Sequence, residues 1–447
     1  MSDVIDLFDQ AIFLGERATG VTDVVQCIWV YNRAVDVESL RRFHANLRGG
    51  KLSRLIERSP VPFGRHRWVA SDTPNDIEFV PSARPRTEFD DWLTEQAHAP
   101  IDPEHGPGWH LAVVRFTDGG TGISLVTSHS LTDGAALQEA LAAAAAGCCD
   151  DASWVARGSR PRWRAVCEDT WRTAREVPGI SRAALATIRR VRNTGGRTAN
   201  PAPAPAPAPV PATAGPDVPV TTPTAAIFVD AAEWDARAQS LGGTSNTLLV
   251  GLAARLAQRL GRVAADGSAE LTMPVNERGD QDTRGNAVVH VSFAVDPEPV
   301  TRDLSEVRAA IKQALARRDE MPDERRALLP VIPLIPTWLF RRIVSAAAVS
   351  PIGVNSSNLG AVPPHLTRPD GTQADFYALT VCYAGVTRAI MQRIGGRLEL
   401  HSGRADGRVF VTVLAYQPGA ENTNNGLREA LSDALGDFAL PFRSGWQ

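Results

Sequence analysis

The residues of this 447-residue chain with the clearest capacity for chemistry are His129, Asp133 and Gly134, in the segment Ser-His-Ser-Leu-Thr-Asp-Gly. An apolar run typical of a buried strand precedes the segment, and an alanine-rich run typical of a helix follows it. An imidazole held at a strand end accepts a proton near neutral pH, since its ordinary pKa is about 6.5. His129 is therefore a candidate general base. Asp133 could orient the turn through hydrogen bonds or an ion pair, and Gly134 would permit close backbone approach.

Asp133 also has a purely structural explanation. An Asp before an alanine-rich helix is an ordinary N-cap, because its carboxylate accepts hydrogen bonds from the free amides of the first turn. A bare H-x-x-x-D-G also occurs by chance in chains of this length. Both roles stay open from these residues alone.

Composition excludes several functional classes. Forty-seven basic and 50 acidic side chains give a net charge of −3, so the chain lacks the positive field that nucleic-acid binding requires. The five cysteines form no CxxC pair and no cluster with histidine at metal-ligand spacing, so we expect neither a disulfide framework nor a metal site. The acidic N-terminus and the lack of a long apolar run predict a cytoplasmic protein without a transmembrane segment.

A proline-alanine repeat over residues 201–212 predicts a linker, because alternate residues lack an amide donor and have a fixed φ. We therefore predict an N-terminal unit (1–199) that carries the histidine segment, a linker (200–222) and a C-terminal unit (223–447). Helix and strand patterns alternate in both units and predict an α/β (α+β) protein with mixed sheets. The predicted strands are 122–128, 271–275, 288–295, 379–383 and 409–415, and the predicted helices are 135–146 and 247–260.

Two further stretches permit more than one interpretation. Residues 157–197 contain eleven arginines and three acids, with apolar residues between them. They predict either a solvated helix face or a landing site for an acidic carrier protein, a phosphate-bearing cofactor or anionic lipid. The proline-broken apolar run 328–340 fits core packing, the lining of an acyl tunnel or peripheral contact with a lipid surface.

The neighbourhood of His129 resembles the H-x-x-x-D-G acyltransferase superfamily, which includes chloramphenicol acetyltransferase, nonribosomal peptide condensation domains, polyketide-associated acyltransferases and wax ester synthase/diacylglycerol acyltransferases. The resemblance covers most of both units, in preserved order. The segments that carry it are Phe8-Asp9 with Phe13-Leu14, Pro100 to Val114, Ser245-Asn246, Met273 to Arg278, Gly285-Asn286 and Ser356 to Gly360. One position departs from the pattern: many relatives have two adjacent histidines, whereas Ser128 stands in the first place here.

The resemblance implies two chloramphenicol acetyltransferase-like subdomains in a V, with His129 as general base at a tunnel between them. It also implies that a segment of the second unit crosses to the first. Ser356, Ser357 and Asn358 become candidates for stabilising an oxyanion or positioning substrate, with turn or capping roles equally open. Arg278 becomes a candidate ion-pair partner of Asp133, although on composition alone a surface position is as good an expectation.

The implied activity is acyl transfer from an acyl-CoA or a phosphopantetheinyl carrier protein to a hydroxyl acceptor, in lipid or natural-product biosynthesis. No permanently bound cofactor is expected. A condensation enzyme that forms an amide between carrier-bound substrates is the alternative within the fold. A non-catalytic carrier-docking scaffold, suggested by Ser128, is the alternative of another class. A metal-dependent hydrolase built on His129 and Asp133 lacks further ligands at credible spacing.

Overall fold

The computed structural model describes residues 3–148, 154–175, 217–279, 282–320, 329–335 and 350–446. The first half of the chain contains five helices within this part: α1 (Leu7–Thr19), α2 (Val37–Gly49), α3 (Phe89–Ala97), α4 (Gly134–Ala145) and α5 (162–175). Its strands are β1 (Thr22–Tyr31), β2 (Arg54–Glu57), β3 (Arg67–Ala70), β4 (Glu78–Phe79), β5 (Trp109–Arg115) and β6 (Thr121–Ser128).

The second half continues the alternation of helices and strands. Its α-helices are α6 (Ala231–Ser240), α7 (Ser245–Arg259), α8 (Ser305–Glu320), α9 (Arg388–Arg393) and α10 (Asn424–Asp437). Its strands are β7 (Thr224–Asp230), β8 (Ala269–Asn276), β9 (Val288–Val295), β10 (Val354–Ala361), β11 (Phe376–Ala384), β12 (Arg397–Ala405), β13 (Arg408–Tyr416) and β14 (Arg443–Ser444). Short 3₁₀ turns cover Arg86–Glu88, Pro299–Thr301, Leu329–Leu334 and Pro364–Thr367.

Two large mixed sheets organise these strands, which confirms the predicted fold class. The first sheet has the order β11-β1-β6-β5-β4 and the second has the order β14-β7-β13-β12-β10-β8-β9. A parallel pair, β4 with β5, occurs in the first sheet, and β10 runs parallel to both of its neighbours in the second. The small pair β2-β3 lies apart from both sheets.

One strand of the second half belongs to the first sheet. β11 pairs antiparallel with β1 from Thr22 opposite Ala384 to Val30 opposite Phe376. The two halves therefore share a sheet, and they share a core as well: the ring centroids of Trp29 in the first half and Tyr377 in the second half are 5.7 Å apart. The proline-alanine segment lies outside the described residues, so the linker and the boundaries of the units stay predictions.

Side-chain caps explain where several helices begin. Asp6, Asp36 and Asp230 each accept a hydrogen bond from a first-turn amide of α1, α2 and α6. Thr244 and Thr247 bond reciprocally to each other's backbone amides and form a capping box at the start of α7. These caps satisfy free amides of the first turn within a few residues of each helix start.

Candidate active site

His129 directly follows β6, and its ring lines a cavity of about 810 Å³ between the two large sheets. Its backbone N–H donates to the carbonyl oxygen of Asp23 on β1 at 2.8 Å, which extends the β1-β6 ladder by one residue. Nδ1 is enclosed and has no hydrogen-bond partner among the described residues. The ring therefore sits on a fixed backbone and borders space that substrate can occupy.

Asp133 performs both of the roles that its sequence position allows. One carboxylate oxygen accepts the amide of Ala136 at 2.8 Å and caps α4. The other accepts the Ala287 amide at 2.8 Å and an Nη2 hydrogen of Arg278 at 2.9 Å. Both partners of this ion pair are buried, with 3% and 6% of their side chains exposed. The composition-based surface expectation for Arg278 is therefore wrong, because the pair lies inside the contact between the two halves.

A loop of the second half contains Gly285 and Asn286. Hydrogen bonds to the buried Asp9 hold this loop against the histidine segment. The Asp9 carboxylate accepts both backbone amides of the loop, at 2.8 and 2.7 Å, and the Asn286 side chain at 2.9 Å. The Asn286 amide also donates to the carbonyl oxygen of His129 at 2.9 Å. Burial raises the pKa of Asp9 to about 6. The Phe8-Asp9 and Gly285-Asn286 motifs, far apart in sequence, thus meet behind the histidine.

Arg54 also binds the loop that contains Gly285 and Asn286. Its guanidinium donates to the carbonyl oxygens of Leu131 at 2.6 Å and Thr283 at 2.9 Å. It also lies 3.9 Å above the ring of Trp68, and burial lowers its pKa to about 10. Arg54 therefore ties the histidine segment to the loop of the second half through backbone oxygens.

Ser128, which stands where many relatives have a histidine, is buried behind the site. Its hydroxyl lies 2.7 Å from that of Ser130 and 3.4 Å from both carboxyl oxygens of Glu16. Burial and the nearby Asp23 carboxylate raise the pKa of Glu16 to about 8. The Ser128 side chain therefore belongs to a polar cluster beneath the strand end.

The structure separates the three candidates for oxyanion stabilisation. Ser357 and Asn358 line the cavity, and the Asn358 amide lies 3.4 Å from the Asn246 side-chain oxygen. Ser356 is buried and does not line the cavity. Gly134 does line the cavity, and a Cβ there would lie 2.8 Å from Cδ2 of Leu359. The backbone of Gly134 is not left-handed, so a side chain there would require only a shift of the Leu359 side chain.

Sequence reasoning missed a polar wall of the same cavity. Its members lie on β1, β11 and β12, strands in which no local sequence motif marks a polar residue as functional. They are Asp23, Tyr383, Arg397, Glu399 and His401. Strand alternation places Glu399 and His401 on one face of β12, but only the pairing of β11 with β1 brings Tyr383 beside Asp23. No local pattern contains that pairing.

The two ambiguous stretches are only partly described. In the basic stretch, Trp163 and Trp171 on α5 are 71% and 58% exposed, and residues 176–197 lie outside the described part. In the apolar run, residues 329–334 form a half-buried 3₁₀ turn that contacts α1. Residues 328 and 336–340 of that run lie outside the described part as well.

No described helix combines the length and apolar character needed to cross a bilayer. Within the same ranges, no three His, Cys, Asp or Glu side chains are grouped so that they could hold a metal ion.

Comparison with known proteins gave matches among solved structures alone. Neither the protein-family models nor the curated proteins contain a match to this chain. A wax ester synthase/diacylglycerol acyltransferase from Marinobacter aquaeolei VT8 matches with a TM-score of 0.55 at 13% identity, over 97% of this chain and 98% of its own.

Two other structures match over similar lengths. The first condensation domain of the calcium-dependent antibiotic synthetase has a TM-score of 0.57 at 14% identity, over 98% of this chain and 95% of its own. Polyketide synthase associated protein 5 from Mycobacterium tuberculosis has a TM-score of 0.51 at 14% identity, over 97% of both chains. This chain has the condensation-domain and wax ester synthase fold. The sequence resemblance and the structural match therefore agree on the fold, along nearly the whole chain.

Proposed function

We propose that this protein is an acyltransferase that moves an acyl group from a thioester, of CoA or of a carrier protein, to a hydroxyl acceptor. The observation that carries the proposal is the imidazole of His129 at the edge of a cavity of about 810 Å³. That volume accommodates the reacting ends of two substrates. The resemblance of the histidine segment to acyltransferases supports the same reaction.

In this proposal His129 is the general base. The acceptor hydroxyl gives its proton to Nε2 of His129 while its oxygen attacks the thioester carbon, so that a C–O bond forms. The tetrahedral intermediate then collapses, the C–S bond breaks, and the imidazolium returns the proton to the leaving thiolate. The thiol and the ester are the products, and no acyl-enzyme is formed.

Other residues position the base and the developing charge. Asp133 is fully engaged by the Ala136 and Ala287 amides and by Arg278, so we assign it to holding the loop rather than to proton transfer. Ser357 and Asn358 line the cavity and are the proposed donors to the oxyanion. Apolar side chains on the cavity wall limit water, which favours transfer to the acceptor over hydrolysis.

The test is an assay of the purified protein with acyl-CoA or acyl carrier protein and a panel of alcohols and amines, with thiol release and product mass as readouts. We expect esters, and we expect His129→Ala to reduce the rate by about 100-fold or more, as for the loss of a general base. The matched control is His365→Ala, because His365 is exposed and does not line the cavity. That variant should retain the rate of the wild-type protein.

Three other outcomes would contradict this proposal or favour one of the alternatives. Unchanged product formation by His129→Ala would remove the histidine from the mechanism. Amides in place of esters would favour the condensation reaction between carrier-bound substrates. Absence of product with every donor and acceptor, together with binding of a carrier protein, would favour the docking scaffold.

A further inference from the structure

Three cavity residues lie side by side across the first sheet. Tyr383 on β11 is the register partner of Asp23 on β1. On the other side of β1, Val24 pairs with Ser128, and the His129 amide donates to the Asp23 carbonyl oxygen at 2.8 Å. Neighbouring side chains in such a row are about 5 Å apart at Cβ, so the Asp23 carboxylate is an immediate neighbour of the candidate base.

Strand β12 of the second sheet supplies the facing part of this wall. The Tyr383 hydroxyl donates to Oε1 of Glu399 at 2.6 Å, and Arg397 donates to the same oxygen at 2.9 Å. The Arg397 guanidinium also lies 3.8 Å above the Tyr383 ring. These contacts hold the side chains of Tyr383, Arg397 and Glu399 in place. This part of the wall is therefore preorganised for a ligand.

The charges on the described cavity lining do not balance. The lining includes four carboxylates, on Asp23, Asp133, Glu270 and Glu399, and one guanidinium, on Arg397. Arg278 neutralises Asp133, so three carboxylates face one cation. Arg397 holds the pKa of Glu399 below its usual range despite burial, whereas burial raises the pKa of Asp23. In the described part of the chain no hydrogen-bond donor reaches the Asp23 carboxylate.

His401 gives a second, independent indication of a ligand at this wall. Its side chain lines the cavity, the residue is only 4% exposed, and Nδ1 has no hydrogen-bond partner among the described residues. Burial lowers the pKa of His401, so the imidazole is neutral near pH 7. An enclosed polar atom without a partner costs free energy that a bound group can recover. The wall therefore offers the carboxyl groups of Asp23 and Glu399 and a neutral imidazole beside His129.

We propose that this wall binds a protonated amine that the acceptor carries next to its hydroxyl, so that the acceptor belongs to the amino alcohols. The inference rests on the proposed function for the role of the hydroxyl, which reaches His129. Its new content is the ammonium site formed by Asp23, Glu399 and His401. An ammonium supplies a positive charge and an N–H donor for the Asp23 carboxyl group, which no donor reaches in the described part of the chain.

The test uses two acceptors of equal shape, 2-(dimethylamino)octan-1-ol and 2-(propan-2-yl)octan-1-ol. They differ by an N–H⁺ in place of a C–H, and the tertiary amine cannot itself be acylated. Calorimetry gives the Kd of each compound for the wild-type protein, and thiol release gives kcat/KM with an acyl-CoA. We expect the amine to bind at least about tenfold more tightly than its carbon analogue, as for a hydrogen bond between charged groups.

Substitutions in the wall test which residues cause the tighter binding of the amine. Asp23→Asn is nearly isosteric, removes a buried carboxyl group and keeps the backbone carbonyl that His129 uses, so it should fold, and it should abolish most of the preference. Glu399→Gln is the second variant and should weaken binding of the amine because it leaves Arg397 unopposed. Asp91→Asn on the exposed face of α3 is the matched control and should keep the preference of the wild-type protein.

The outcomes separate this inference from the proposed function. Equal Kd values for the two compounds would overturn the ammonium site, whether or not either compound is acylated. A preference that survives both Asp23→Asn and Glu399→Gln would also overturn it. Tighter binding of the amine without acyl transfer to any acceptor would leave the ammonium site in place and count against the acyltransferase.

Discussion

At the scale of single residues, the polar groups behind His129 have different electrostatic roles. Asp9 accepts three hydrogen bonds from the loop of the second half, whereas the hydrogen-bond partners of the Glu16 side chain are the hydroxyl groups of Ser128 and Ser130. Burial raises the pKa of Glu16 from 4.5 to about 8. The folded state therefore binds this proton more tightly than the unfolded chain, and stability contributed by the proton is lost as pH rises from about 4.5 through 8.

Glu16→Gln tests this assignment through the pH dependence of stability. At pH 9 the wild-type protein carries a buried carboxylate, so we expect the variant to have the higher free energy of unfolding, by on the order of 5 kcal/mol. At pH 4 both side chains are neutral and the difference should vanish. Chemical denaturation at the two pH values measures both quantities. Glu429→Gln, at an exposed position of α10, is the control, and an equal difference at both pH values would contradict the raised pKa.

At the scale of elements, the site depends on how closely the loop of the second half approaches the histidine segment. A Cβ on Gly285 would lie 2.9 Å from the backbone oxygen of Leu131 and 3.1 Å from a carboxylate oxygen of Asp9. Backbone atoms cannot move aside as a flexible side chain can. We expect Gly285→Ala to push the loop away, with a loss of about 1–3 kcal/mol in the free energy of unfolding and a lower rate of acyl transfer.

Gly279→Ala is the matched control for this loop. A Cβ on Gly279 meets nothing within 4 Å, and its φ is not positive. Thermal unfolding and the thiol-release assay of both variants measure the effects. Equal stability and rate for the two variants would show that the contact between loop and histidine segment is not tight.

The elements also show what the sequence can predict. Strands and helices with strong local patterns, such as β9, β13 and α7, lie where they are predicted, within a residue or two at each end. His129, Asp133 and Gly134 fall at the cavity because a strand end and a helix start fix them locally. Asp23 and His401 carry no such local signal, because their position at the cavity results from pairing between distant strands. Ser356 differs from Ser357 only by the face of β10 on which it lies, which no motif encodes.

At the scale of the whole molecule, the crossing strand β11 makes the two halves one cooperative unit. Phe376 on β11 is buried against Phe228 of the second sheet, and Tyr377 contacts both Trp29 of the first half and Phe410 of the second. Because these side chains belong to a single core, loss of one contact weakens both sheets at once. If the two halves were independent subdomains joined by a linker, loss of a core contact in one half would leave the stability of the other half unchanged.

Phe376→Ala distinguishes these two arrangements. We expect a loss of about 3–5 kcal/mol in the free energy of unfolding, as for the removal of a buried ring, and a single transition at lower temperature. Hydrogen exchange read by mass spectrometry should show parallel loss of protection in β6 and β13, which lie in different sheets. Phe63→Ala, at a ring that is 48% exposed, is the matched control. Loss confined to β6 would mean that the second sheet is stable without the contact between Phe376 and Phe228, and the two sheets would then not form one cooperative unit.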